Sequence, residues 1–161
     1  MRCALVAAAS LIVLAGGCVS EQGIDSAKVS NLAAGGGLQV RVDLPSRYYQ
    51  TGDTVHVAVT ATNQTGKAIE IHSPTGAPVL VRLTRQTLLH SEEIHVYPTS
   101  ATTNILSWTL PAGRSVTWDL MVPVEPDWPV NEILYLSAEL NGYPALAPNI
   151  VIMVKPRGQG K

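Results

Sequence analysis

The chain of 161 residues contains no phenylalanine and two cysteines, Cys3 and Cys18, and only 14% of its residues are charged. Each shortage excludes something. Everything after Cys18 can form no disulfide, no thiolate metal site and no thiol nucleophile. The 11 Lys and Arg stand against 12 Asp and Glu with no basic stripe, so nucleic acid is not an expected partner. The apolar run from Ala4 to Ala15 covers about twelve residues, too short for a permanent membrane-spanning helix. No G-x-S-x-G elbow is present. The glycine run Gly35-Gly36-Gly37 precedes a strand pattern and not a helix, so no phosphate loop is expected.

What is present begins with an address. Arg2 and the apolar run lead into Leu14-Ala15-Gly16-Gly17-Cys18. This stretch resembles the lipobox of bacterial lipoproteins, although Ala15 stands where the pattern favours Leu three positions before the cysteine. The resemblance implies that residues 1–17 are removed and that Cys18 becomes a lipidated first residue. Ala15 and Gly17 would also suit an ordinary small-x-small cleavage site, but that leaves Cys18 without a role. Val19 follows, not Asp, which in Gram-negative families of this kind implies outer-membrane sorting. Membrane lipid is therefore the first expected partner, held by acyl chains worth ~0.8 kcal/mol per buried CH2.

Residues 18–37 read as the lipidated cysteine and a flexible tether, since 19–37 lack periodicity and end in three glycines. Period-2 alternation then begins. Apolar rows run through Leu38 to Leu44, Val55 to Ala61, Ile69 and Ile71, Val79 to Leu83, and Ile94 with Val96. They continue through Leu106 to Leu110, Val116 to Val122, Leu134 to Leu140 and Ile150 to Val154. Gly, Pro or Asn turns separate them, and no helical period occurs. This predicts an all-β, immunoglobulin-like antiparallel β-sandwich of about 8–9 strands over residues 38–155, followed by a polar tail, 156–161.

The turns carry a second resemblance. Gly52-Asp53-Thr54-Val55, then Thr62-Asn63-Gln64-Thr65-Gly66-Lys67, then Leu110-Pro111-Ala112-Gly113-Arg114-Ser115 resemble the BsuPI family of intracellular proteinase inhibitors. That family has an immunoglobulin-like sandwich, and the similarity covers about residues 38–123. Here Ser73 to Pro78 replaces its aromatic segment, and the lipobox argues against an intracellular target. The resemblance implies fold more than function.

Candidate chemistry is sparse. His90 and His95, five apart, fall on opposite faces of a strand. His56 and His72, if their strands form a hairpin, stand roughly 10 Å apart. No metal or other cofactor is implied. Glu92 with Glu93, and Glu125 with Asp127, are the carboxylate pairs available to a glycosidase, but they read as solvated. No catalytic residue and no enzyme activity are expected.

Loop aromatics remain. If every strand crosses the sandwich once, loops 45–52, 73–78, 98–104 and 123–131 share one end. The tether would arrive at the other end, beside loops 63–67, 111–113 and 141–148. Tyr48, Tyr49 and Trp128 would then point away from the membrane as a grip for another envelope protein. Alternatively Trp128 plugs the open end of the core and the tyrosines cover an edge. A proteinase-inhibitor loop and sugar stacking on these rings are the competing functions. Trp108 and Trp118, in apolar rows, are expected in the core.

Overall fold

The structure, a computed structural model, describes residues 28–99 and 104–157. The signal segment, Cys18, most of the tether and the end of the polar tail lie outside the described residues. The strands are β1 (Val29–Gly35), β2 (Leu38–Leu44), β3 (Tyr48–Gln50), β4 (Thr54–Asn63), β5 (Ile69–Ser73) and β6 (Val79–Gln86). They continue with β7 (Ser91–Tyr97), β8 (Leu106–Leu110), β9 (Ser115–Pro123), β10 (Ile133–Leu140) and β11 (Asn149–Lys155). A 3-10 turn, Pro144–Leu146, precedes β11.

A four-stranded sheet ordered β1-β2-β4-β9 faces a five-stranded sheet ordered β3-β11-β10-β6-β7, and β5 with β8 forms a separate ribbon. The alternation dictates this arrangement. Val40 and Val42 of β2, and Val55, Val57 and Val59 of β4, turn inward from one sheet. Val81 and Leu83, Leu134 and Leu136, and Ile150 and Ile152 turn inward from the other, and all are essentially inaccessible to water. Removing that apolar surface from water drives the two sheets together. Every expected strand is present, and 86–98 resolves into the β6–β7 hairpin.

Two strands were not expected, and one corrects the tether. Val29–Gly35 is not flexible chain: it pairs along its whole length with β2, Val29 opposite Leu44 and Gly35 opposite Leu38. The glycines are its hairpin turn. Gly36 and Gly37 both have positive φ, 59° and 79°, as a two-residue type I′ connection requires. A Cβ on Gly37 would also collide with the Thr65 side chain. β1 escaped detection because it is an outer strand with most of its residues exposed, so it shows no apolar row.

The hairpin reverses the chain, and with it the expected orientation. The chain arrives beside Leu44 and Pro45, at the same end as loops 45–52 and 123–131, not at the opposite one. The end carrying Gly36 and Gly37 holds loops 63–67, 111–113 and 141–148. Loop 73–78 joins them there: Asn141 Nδ2 donates to Ala77 O at 2.8 Å and Thr75 Oγ1 at 2.6 Å. Pro98 also lies at this end, since Tyr97 pairs with Val81 near the start of β6. The assumption that fails is that β5 crosses the sandwich. Ile69 pairs with Leu110, beside Asn63, while Gly142 abuts the His72 carbonyl, so both ends of β5 stay at one end of the molecule. His56 on β4 and His72 on β5 therefore belong to no common hairpin.

Asn63 ties this end together. Its Nδ2 donates to Lys67 O at 2.7 Å and Leu110 O at 3.0 Å, with Pro111 O at 3.2 Å. Its Oδ1 accepts from the Thr65 N–H at 2.8 Å, and its own N–H donates to Arg114 O. One fully buried amide thus joins β4 to both turns that flank the ribbon. Asn63→Ala should lower stability by about 2–3 kcal/mol by leaving buried carbonyls without a donor. The shift in the urea midpoint, compared with Gln64→Ala at the exposed neighbouring position, measures it.

Candidate functional site

The three loop aromatics fall in different environments. β3 lies parallel to β11, with Tyr48 opposite Met153 and Tyr49 opposite Val154. The strand alternation sends Tyr49 inward, where it is 6% exposed and its hydroxyl donates to Ser46 O at 2.9 Å. Burial pushes the Tyr49 phenol up to about 12 from the ordinary 10.0. Tyr48 faces solvent, with the Lys155 ammonium 4.3 Å from its ring centroid. Trp128, at the close of a turn with its N–H on Glu125 O, is 2% exposed and belongs to the core. The three rings therefore form no common grip. Trp128 plugs the core and Tyr49 lines it, and of the three Tyr48 alone is presented outward.

Trp128 organises its surroundings from inside. His95 on β7 stacks near it at 6.2 Å between ring centroids, and Asp127 reaches His95 Nε2 at 3.2 Å. Trp108 and Trp118 meet edge to face at 5.4 Å and are half-buried against the core rather than within it.

The acidic pairs have cross-strand partners. Glu93 accepts from Arg82 at 2.6 Å and Glu92 from Arg85 at 2.7 Å, one ladder step apart on β6 and β7. Arg82 also reaches the buried Glu139, and Arg85 reaches Glu132. Hydrogen bonds to these carboxylates, Glu93 first for Arg82 and Glu92 first for Arg85, raise both guanidinium pKa values. Of the other pair, Asp127 bonds to His95 and Glu125 stands at the rim of a groove beside β9. Among the described residues no group of three His, Cys, Asp or Glu could hold a metal ion.

One constellation was missed from the sequence because pairing between β5 and β8 was not anticipated. His72 Nδ1 lies 3.0 Å from Ser107 Oγ on the opposite strand, and its Nε2 lies 3.9 Å from Glu70. The order Ser, His, Glu is that of a hydrolytic triad. The His72 and Glu70 side chains are 60% and 67% exposed, however, and sit on an open ribbon face. Water screens the pair, so neither the base nor a developing oxyanion gains the low-dielectric support that such chemistry uses.

A groove of about 990 Å³ lies on the open flank of the sandwich, between β9 and the loops of the facing sheet. Trp118, Leu120 and Met121 line one wall, and Tyr97, Pro98 and Ala77 the other. Among the described residues β9 is the outermost strand of its sheet and pairs with β4 alone. Its ladder parity follows from two bonds, Asn63 N–H to Arg114 O and Val124 N–H to Asp53 O, which continue the 62–115 and 54–123 register. Alternation then turns the backbone groups of Val116, Trp118, Leu120 and Val122 toward β4. Those of Thr117, Asp119 and Met121 point off the open edge.

No protein-family model matches the chain, and no curated protein matches it in sequence. Among solved structures it is similar to the sporulation control protein Spo0M of Bacillus subtilis, with TM-score 0.51 and 13% identity over 76% of this chain and 51% of that one. A β-glucosidase from Listeria innocua gives TM-score 0.44 and 15% identity over 81% of this chain and 16% of its own. A β-glucosidase from Erythrobacter marinus gives TM-score 0.43 and 11% identity over 79% and 15%. The chain spans about half of Spo0M and a small part of either glucosidase. The likeness to Spo0M is one of fold alone, an all-β architecture.

Two outcomes separate the aromatics. Trp128→Ala should cost about 3–5 kcal/mol in urea unfolding, whereas Tyr48→Ala should stay within about 0.5 kcal/mol of the parent. The Tyr49 pKa is raised in the folded state, so its contribution is full below pH 10 and is lost as pH rises through about 12. Alkaline titration of stability should show that loss, and Tyr49→Phe should abolish it.

Proposed function

We propose that this protein is a membrane-anchored, extracytoplasmic lipoprotein whose sandwich binds another envelope protein without catalysis. It receives an extended segment of that partner on the free edge of β9. The lipobox-like Leu14 to Cys18 supports the anchor, and Val19 supports the outer membrane as its address in a Gram-negative cell. The observation that carries the binding mode is the edge itself: the Thr117, Asp119 and Met121 backbone groups face outward over a groove of about 990 Å³. An unpaired edge is a ready template for an added strand, and the groove gives alternate side chains of that strand somewhere to sit.

The BsuPI resemblance supplies the second reading, a proteinase-inhibitor-like module. It is favoured by the turns centred on Asn63 and on Pro111 to Gly113, which hold the ribbon in one place. The inhibitor reading requires stoichiometric loss of a protease's activity, which a passive adaptor does not cause. Burial of Trp128 and Tyr49 removes two of the three rings on which sugar stacking would depend.

Affinity capture from envelope extract, with the chain from Cys18 onward as bait, tests the edge. Asp119→Pro deletes an N–H that β4 does not use, so the bait should fold yet lose its partner, while Asp119→Ala should retain it. Circular dichroism checks folding of each bait. Equal capture by the folded proline variant would rule out strand addition at β9.

A further inference from the structure

The most exposed large apolar side chains of the described residues belong to Leu88 and Leu89, at 103% and 93% of full accessibility. They form the tip of the β6–β7 hairpin, and the turn beneath them is closed tightly. Thr87 N–H donates to His90 O at 2.8 Å, and His90 N–H donates to Thr87 Oγ1 at 3.1 Å. With the turn closed beneath them, both leucines project away from the core into solvent.

The strand directions place this tip. Leu134 opposite Arg85 puts the start of β10 beside the end of β6, and Ile133 opposite Met153 carries the same level across to β11. Met153 opposite Tyr48 then reaches β3. Leu88, Leu89, the exposed Ile133 and Val130, and Tyr48 therefore rim one end of the sandwich. It is the end where the chain arrives: Val29 lies opposite Leu44, and Lys28 Nζ is 3.9 Å from Asp43.

We infer that this rim is a lipid-contacting surface, with Leu88 and Leu89 inserting into the interface of the bilayer that holds Cys18 and Tyr48 resting at headgroup level. This rests on the lipid-anchor reading given above. The chain between Cys18 and Lys28 reaches at most about 35 Å when fully extended. The ten residues of β4 span about 33 Å. Turning the opposite end to the membrane would therefore need nearly all of that reach, whereas the leucine end meets the surface with slack to spare. Arg85, just above the tip, is paired with Glu92 and Glu132, so the tip itself offers an apolar contact. A tyrosine and projecting leucines are the side chains that membrane interfaces accept. The orientation leaves the β9 edge facing sideways, clear of the bilayer.

The test uses the processed chain isolated from membranes and reconstituted into phosphatidylcholine vesicles containing a doxyl-labelled lipid quencher. Leu89→Cys carries an environment-sensitive fluorophore; Ala112→Cys, at the other end, is the reference. Quenching should be severalfold stronger at position 89, with a blue-shifted emission, and adding Leu88→Asp to the labelled Leu89→Cys chain should abolish the difference. Adding phosphatidylglycerol should not be required. Equal quenching at 89 and 112 on an acylated chain would overturn the tip contact and leave the anchor standing. Mass analysis of the Cys18 peptide reads the anchor separately, and an unmodified Cys18 would overturn both.

Discussion

A single buried amide holds the least regular part of this molecule in register. Asn63 closes β4, and its side chain satisfies carbonyls from the turn that follows and from the end of β8. The β5–β8 ribbon, which belongs to neither large sheet, is positioned together with that junction by its own ladder, the buried Ile71 and Leu110, and the Trp108–Trp118 contact. The groove beside β9 depends on the same junction. The turn held by Asn63 feeds directly into β9, and the ribbon keeps loop 73–78, one wall of that groove, at the end where Asn141 secures it.

The sandwich was legible because its strands bury one face each. Val55, Val57 and Val59, or Leu134, Leu136 and Ala138, announce themselves by a period that only a half-buried strand produces. β1 was not legible because an exposed outer strand has no reason to alternate. Its Gly36-Gly37 pair is as consistent with a linker as with a type I′ turn until a pairing partner is known. β3 is three residues long, below the length at which a period can be read.

Function was less legible for a related reason. Aromatics in loops were natural candidates for a grip, but composition cannot distinguish a ring that reaches out from one that closes a core. Trp128 does the second because the open end between two sheets needs a large plug, and Tyr49 turns inward because Tyr48, its neighbour on β3, turns out. The β9 edge and the Leu88–Leu89 tip carry no motif at all. Both emerge only from which strand lies outermost and which hairpin projects.

The position of β1 also bears on how tension on the entering chain would reach the fold. Tension on the chain that enters at Val29 would bear first on the β1–β2 ladder, at the outer edge of its sheet. β1 buries little, and freeing its seven residues from β2 would add about 23 Å of extended chain ahead of the rest of the sandwich.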